Sequence, residues 1–90
     1  MREFEWDAQK ADANVAKHEI DFWEAIEVFD LPHLTIRSRH ETEVRFLSIG
    51  LMKDRIVTVI WTWRGETKRI ISARSARHEE REEYRHRLGR

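Results

Sequence analysis

The sequence predicts an α+β fold, with helices packed on an antiparallel sheet in a single domain of residues 1–90. Apolar residues recur with the helical period of 3.6 before Pro32 and mostly with the strand period of 2 after it. The 90 residues suffice for one small domain. We expect the helices to cover one face of the sheet and to leave the other face for function.

The N-terminal third contains a short strand and two helices. Residues 2–6 alternate and predict the strand, and Asp7 is a suitable N-cap for a helix over 8–18. Asp21 begins a capping box that opens a second helix over 22–30. The apolar stripe of this second helix comprises Phe22, Ala25, Ile26 and Phe29.

Four strands and a last helix follow. The strands are predicted over 34–37, 44–49, 56–64 and 67–74, and the third is the richest in β-branched and aromatic residues. Residues 76–88 predict a helix of mixed charge with a thin apolar line, which has little reason to be stable alone. That apolar line comprises Ala76, Tyr84 and Leu88.

The turn at Gly65 and Glu66 predicts the register of the last hairpin, because glycine comes first in one type of two-residue turn. Arg64 and Arg69 would then lie diagonally on one sheet face, about 7–8 Å apart at the backbone, where two guanidinium groups can bind phosphate. Arg74 would lie on the opposite face. The pairs predicted by this register are Arg64–Thr67, Thr62–Arg69 and Ile60–Ile71.

The net charge of zero hides an asymmetry along the chain. Residues 1–30 contain three basic and nine acidic residues, whereas residues 31–90 contain 14 basic and eight acidic ones. A basic region in which arginine predominates suits a polyanion such as nucleic acid. The alternative is that the acidic and basic halves neutralise each other. The chain has no cysteine, no apolar run of about 20 residues and no signal-peptide stretch, so we expect a cytoplasmic protein without disulfides or membrane spans.

Histidine and tryptophan allow two interpretations each. His18 ends the first helix, where it can bind the last carbonyls or act as a general acid or base. Trp61 and Trp63 are expected in the core rather than as platforms for nucleic-acid bases. No spacing typical of a metal site occurs among the five histidines, which are His18, His33, His40, His78 and His86.

Three blocks of the sequence resemble the BrnT family, and together they span nearly the whole chain. The first is Phe4-Glu5-Trp6-Asp7, with Lys17-His18 downstream of it. The second is Arg45-Phe46-Leu47, and the third is Arg69-Ile70-Ile71-Ser72-Ala73-Arg74 with Glu80-Arg81 and Tyr84 after it. Position 19 departs from the family, because it is Glu where the family usually has Gly.

The resemblance implies a ribonuclease toxin of a type II toxin–antitoxin system with a fold similar to RelE. It implies a BrnA-like antitoxin with a ribbon-helix-helix domain, an assembly that is a dimer of heterodimers, and neither metal nor other cofactor. Cleavage of RNA without a metal uses the 2′-hydroxyl as nucleophile and needs charge stabilisation and proton transfer. The candidate catalytic residues are Arg64, Arg69, Arg74, His18, Lys17, Tyr84 and Glu80.

Arg64 and Arg69 are the candidates for binding the phosphate, and Arg74 is a third. His18 or Lys17 would transfer protons, and Tyr84, one turn from Glu80, would transfer a proton or stack on a base. Two other functions stay open at this point. One is a module that binds RNA or DNA without cutting it, and the other is a protein-interaction role in operon autoregulation, anchored by Trp23 and the last helix.

Overall fold

Five strands and three α-helices make up the part of the chain that the computed structural model describes, residues 3–89. The strands are β1 (Phe4–Glu5), β2 (Leu34–His40), β3 (Glu43–Met52), β4 (Arg55–Arg64) and β5 (Thr67–Ser75). The helices are α1 (Ala8–His18), α2 (Phe22–Ala25) and α3 (His78–Leu88), and a 3₁₀ helix (Ile26–Asp30) directly follows α2. Of the strand predicted over 2–6, residue 2 lies outside the described residues.

The strands form one mixed sheet in the order β1-β5-β4-β3-β2. Strands β2 to β5 are an antiparallel meander, as predicted, but β1 pairs with β5 in parallel, with Phe4 opposite Lys68. The expectation of a wholly antiparallel sheet was therefore wrong at this edge. Alternation of side chains predicts a strand, but it carries no information on the direction of its partner.

The predicted helix over 22–30 is divided between α2 and the tighter 3₁₀ helix. Asp21 caps α2 as expected, because its carboxylate accepts the N–H of Trp23 at 2.7 Å. The 3₁₀ helix passes so close to β3 that a Cβ on Gly50 would lie 2.9 Å from Val28 Cγ1. Glycine at this position therefore lets the helical segment approach the sheet.

The main core lies between the sheet and the segment from Ile20 to Phe29. Side chains of this segment pack on Val57, Val59 and Trp61 of β4 and on Ile70 of β5. We call this side of the sheet the core face. The buried residues that this segment contributes are Ile20, in the loop before α2, and Phe22, Ala25 and Val28.

Helix α3 packs on the opposite side of the sheet. Tyr84 is 1% exposed and belongs to a second cluster with Ile49, which pairs with Thr58. Val57 and Val59 point to the core face, so Thr58, which lies between them along β4, points to the opposite face. Ile49 is paired with Thr58 and points the same way. The expectation that all helices cover one face was therefore wrong for α3. The strands also place apolar side chains on this second face, and α3 covers them. The partly buried residues packed there are Leu34, Leu51 and Ile56 of the sheet and Leu88 of α3.

The last hairpin follows the predicted register only near its turn. Arg64 pairs with Thr67 and Thr62 with Arg69, but the next pairs are Trp61–Ile70 and Ile60–Ser72. Ile71 is thus the extra residue of a β-bulge, and the predicted Ile60–Ile71 pair was wrong. An extra residue reverses the alternation of all side chains beyond it.

The bulge moves Arg74 to the other face of the sheet. Arg74 pairs with Thr58, which shares a face with Thr62, and Thr62 is opposite Arg69. The prediction that Arg74 lies on the face opposite Arg69 was therefore wrong, because it assumed an uninterrupted strand.

Within residues 3–89, none of the helices has both the length and the hydrophobicity that a membrane span requires.

Candidate functional site

The face opposite the main core presents a group of arginines, which we call the arginine face. Arg64, Arg69 and Arg74 share it, for the reasons given above. Arg45 lies there too, because Phe46, its neighbour in β3, stacks on Trp61 at 4.7 Å between ring centroids on the core face. Helix α3 covers the part of this face around Ile49, whereas no helix of the described chain covers the part near the β4–β5 turn.

Arg64 is the exposed member of this group. It ends β4, and its guanidinium forms no ion pair with any residue in the range 3–89. Its charge still acts locally: the pKa of Glu43 is lowered mainly by the hydrogen bond from Arg45, and Arg64 adds to the effect. Of the four arginines, Arg64 therefore has the guanidinium most available to an anionic ligand.

Arg69 is tied to β1. Its guanidinium donates to Glu5 at 2.7 Å, and the two side chains are 29% and 32% exposed. The parallel β1–β5 pair sets this contact, because Glu5 lies opposite Arg69. A phosphate would therefore have to compete with a carboxylate for Arg69, or bind to the part of the fork that Glu5 leaves open.

Arg74 and Glu80 form the least exposed ion pair of the described chain. The guanidinium donates to both carboxylate oxygens, at 2.8 and 3.0 Å. Glu80 also accepts the hydroxyl of Thr58 and the N–H of Arg77, both at 2.8 Å. Burial alone would raise the pKa of Glu80, but the hydrogen bonds from Arg74, Arg77 and Thr58 outweigh it and lower the pKa to about 2. Glu80 is thus held as a carboxylate at neutral pH.

Tyr84 lies one turn beyond Glu80 on the same side of α3, as predicted, but its ring is inside the second cluster. With 1% of its surface exposed, the ring cannot stack on a base while α3 stays in place. Arg74, Glu80 and Tyr84 therefore join α3 to the sheet, whereas Arg64 and Arg69 face the open part of the arginine face.

Lys17 and His18 lie together in a cleft between α1 and β5. This basic cleft has a volume of about 200 Å³ and reaches β5 at Ile71 and Ser72. The bulge thus forms part of its wall. Ser72 stands between Arg69 and Arg74 along the strand, so the cleft borders the arginine face. The remaining lining residues are Lys10, Ala13 and Asn14.

The imidazole of His18 makes no hydrogen bond within residues 3–89, so it does not bind the last carbonyls of α1. Glu19 instead caps the C-terminus of the helix, because its N–H donates to the Val15 carbonyl at 2.9 Å. Glu19 adopts the left-handed conformation with φ 58°, which glycine favours. The turn therefore keeps a glycine-like geometry although the residue is glutamate.

A second cleft lies on the other side of α1, and we call it the apolar groove. Its volume is about 220 Å³, and its walls include Trp6, Val15 and Trp23 with Asp12 and Asp21. Trp23 is 70% exposed, and its ring meets Trp6 edge-on at 4.9 Å. Helix α1 therefore separates a basic cleft from a groove that is apolar and acidic.

Sequence reasoning missed two residues of this region. Phe46 pairs with Trp61, so Arg45, the residue before Phe46, points to the arginine face. No register of β3 against β4 was predicted, and Arg45 was therefore not placed. Ser72 joins the basic cleft only because of the bulge, for which the sequence contains no signal. Within residues 3–89, no three histidine or carboxylate side chains converge as a metal site would require.

Comparison with known proteins identifies the family. A comparison with curated proteins finds no significant match. The sequence model of the family described as "Ribonuclease toxin, BrnT, of type II toxin-antitoxin system" matches residues 6–80, which include α1, the whole meander and the start of α3. The chain therefore belongs to the BrnT family of ribonuclease toxins of type II toxin–antitoxin systems.

Proposed function

We propose that this protein is a metal-independent endoribonuclease of the cytoplasm, which inhibits translation and growth by cutting RNA at the open part of the arginine face. The observation that supports this most directly is Arg64: an exposed guanidinium without an ion pair in the described chain, two residues along β4 from Thr62 and its partner Arg69. The basic cleft with Lys17 and His18 borders the same face. Family membership implies an RNA target and an antitoxin.

The proposed reaction uses the 2′-hydroxyl of the RNA. Its oxygen attacks the adjacent phosphorus and loses its proton, the bond from phosphorus to the 5′-oxygen breaks, and that oxygen gains a proton. The products are a 2′,3′-cyclic phosphate and a 5′-hydroxyl. Arg64 and Arg69 would bind the phosphate and stabilise the charge of the phosphorane, and His18 or Lys17 would transfer the protons.

Arg74, Glu80 and Tyr84 have a positioning role in this proposal. The ion pair of Arg74 with Glu80 holds β5 against α3, and β5 presents both Arg69 and Ser72. Tyr84→Phe tests the alternative, in which the phenol transfers a proton. That substitution keeps the buried ring, so we expect cleavage to persist; loss of cleavage with unchanged stability would return Tyr84 to the catalytic group.

The first experiment is incubation of the purified protein with RNA, with and without EDTA, followed on a gel over time. We expect cleavage both with and without EDTA. Arg64→Ala should lower the cleavage rate by about 10²–10³-fold, which is the usual cost of losing one group that stabilises the transition-state charge. Arg37→Ala is the matched control, because Arg37 is also exposed but pairs with Phe46 on the core-face side. Equal rates for Arg64→Ala and the unchanged protein would contradict the assignment.

The proposed partner is a BrnA-like antitoxin with a ribbon-helix-helix domain, in an assembly that is a dimer of heterodimers. The exposed Trp23 and helix α3 are the proposed anchors, since tryptophan is enriched at the energetic centres of interfaces. The mass of the co-purified complex by light scattering tests the stoichiometry. Two copies of each chain are expected, and a complex with one copy of each would contradict it.

The second candidate is a module that binds RNA, or a protein, without catalysis and acts with a DNA-binding partner in operon autoregulation. It is favoured by three ion pairs on the arginine face, because Arg45, Arg69 and Arg74 each already bind a carboxylate and only Arg64 has no ion pair within residues 3–89. The time course above separates the two functions, because a binding module retards RNA on a native gel but releases no fragments from it.

A further inference from the structure

Trp63 is a large aromatic side chain that the fold leaves in solvent. It is 48% exposed, whereas Trp61, two residues earlier on the same face of β4, is 4% exposed. The expectation that both belong to the core was therefore wrong for Trp63. It stands next to Arg64 at the end of β4, where the sheet extends beyond the segment that covers the core face.

The ring of Trp63 is held in place from within the molecule. Trp61 meets it edge-on, with 5.1 Å between ring centroids and an interplanar angle of 86°, and Trp61 itself stacks on Phe46. The neighbouring turn leaves space beside the ring, since Gly65 and Glu66 border an open concavity with Trp63. Apart from the two chain neighbours of Gly65, no heavy atom of residues 3–89 lies within 4 Å of a Cβ built on Gly65. The ring is thus a supported surface with room for a ligand.

The amine of Lys68 lies over this aromatic cluster. Its nitrogen is 4.8 Å from the ring centroid of Trp63, and 5.3 to 5.8 Å from those of Trp61, Phe29 and Phe4. Within residues 3–89, Lys68 forms no ion pair with a carboxylate. The aromatic faces stabilise the ammonium, but they leave its positive charge without a counter-ion.

We infer that Trp63 and Lys68 form a binding site for one unpaired nucleotide of RNA, with the base stacked on Trp63 and a phosphate held by Lys68. An aromatic platform beside a cation is the arrangement with which proteins bind single strands. Arg64, the next residue along β4, carries a second cation without an ion pair in the described chain. It points to the arginine face, so the site on the core face and the arginine face meet at the end of β4. The inference rests on the proposed function only in taking RNA as the ligand.

The test is binding of a fluorescein-labelled 2′-O-methyl oligoribonucleotide, whose blocked 2′-oxygens prevent cleavage, measured by anisotropy. Trp63→Ala should weaken binding about 5- to 150-fold, the range for losing one stacked base. Trp63→Phe should restore part of the affinity. Trp23→Ala is the matched control, because it removes an even more exposed tryptophan from the apolar groove, and it should bind as tightly as the unchanged protein.

A second oligonucleotide tests the stacking itself. With an oligomer that lacks its bases, Trp63→Ala and the unchanged protein should bind equally, whereas Lys68→Gln should still weaken binding. Equal affinities of Trp63→Ala and the unchanged protein for the complete oligomer would overturn the inference. So would an equal loss in Trp23→Ala, or a Trp63→Ala protein that keeps RNA binding and loses only its antitoxin.

Failure of the inference and failure of the proposed function give different results. Trp63-dependent binding of the uncleavable oligomer, together with intact RNA in the cleavage assay, would contradict the ribonuclease and keep the nucleotide site. Cleavage that needs Arg64, together with binding that ignores Trp63, would contradict the nucleotide site and keep the ribonuclease.

Discussion

Asn14 shows how much a single buried side chain contributes to this fold. Its amide nitrogen donates to the carbonyls of Ile20 and Ala73, both at 2.9 Å, and its oxygen accepts the N–H of Ala73 at 3.1 Å. Strand β1 pairs with β5 only at Lys68 and Arg69, so the outer edge of β5 is open at Ala73. The amide of Asn14 takes the place of a neighbouring strand there.

We therefore expect Asn14→Ala to lower the free energy of unfolding by about 2–3 kcal/mol, because it leaves buried backbone groups without partners. Urea unfolding at pH 7 measures this. Gln9→Ala is the control, since Gln9 is exposed on the same helix and its side chain makes no hydrogen bond within residues 3–89. Equal midpoints for both variants would show that solvent replaces the Asn14 contacts at little cost.

The left-handed Glu19 is a second single-residue feature. Side chains other than glycine adopt this conformation at a cost of about 1–2 kcal/mol, so the position is strained by its residue type. The BrnT resemblance pointed to glycine here, and the backbone of this chain retains the geometry that glycine would accept without strain.

At the scale of elements, α3 depends on the sheet for its stability. Its described sequence is mostly charged, and its only fully buried residue is Tyr84. The helix is joined to the sheet by the Tyr84 cluster and by Glu80, which binds Arg74 and Thr58 and also caps the helix through Arg77. One carboxylate thus links the start of α3 to two strands.

This arrangement predicts a specific pH dependence. The native pKa of Glu80 is about 2, below its ordinary value of 4.5, so its contacts stabilise the fold fully above pH 4.5 and are lost as the pH falls towards 2. At pH 7, Glu80→Gln should cost about 1.5–3 kcal/mol of stability, because it weakens hydrogen bonds to charged groups. The difference between the two proteins should shrink steadily between pH 4.5 and 2.

Urea midpoints at pH 7, 4.5 and 2.5 check this prediction, with Glu79→Gln as the control. Glu79 is exposed and makes no ion pair in the described chain, so its substitution should change the midpoint little at any of these values. If the difference in urea midpoint between the Glu80→Gln protein and the unchanged protein is the same at all three pH values, the ionised carboxylate does not stabilise the fold.

At the scale of the whole molecule, charge is separated by position. The net charge is zero, yet the open end of the arginine face presents Arg64, which has no ion pair within residues 3–89, beside the ion-paired Arg45 and Arg69. The apolar groove on the far side of α1 is bordered by Asp12 and Asp21. A polyanion is attracted to the first surface and repelled from the second. The molecule can therefore orient RNA although its total charge is zero.

The strength of this electrostatic contribution can be measured from the salt dependence of RNA binding. For single strands the logarithm of the affinity falls with the logarithm of the salt concentration, with a slope of about −0.7 per phosphate neutralised. Arg64→Ala should reduce the magnitude of this slope by about 0.7, whereas Arg37→Ala should leave it unchanged. Equal reductions in both variants would indicate a diffuse charge effect rather than a phosphate contact at Arg64.

Most of the fold was predictable from local chemistry, because caps and alternation depend on neighbours along the chain. Asp7 caps α1, with its carboxylate accepting the N–H of Gln9 at 2.8 Å, and Gly65 forms the predicted two-residue turn with φ 61°. The candidate site was only partly predictable. Arg64 and Arg69 share a face because both lie between the turn and the bulge, one and three residues from the turn, where the alternation is still undisturbed.

Local patterns in the sequence set the α+β order, the starts of α1 and α2, the hairpin register near its turn and the family; the last helix was predicted from residue 76 but begins at His78. Tertiary structure alone decided the parallel pairing of β1, the position of α3 and the face on which Arg74 lies. These features depend on contacts between distant residues, such as Glu5 with Arg69 and Glu80 with Thr58. Only the folded chain brings these partners together, so no local pattern records which of the possible contacts forms.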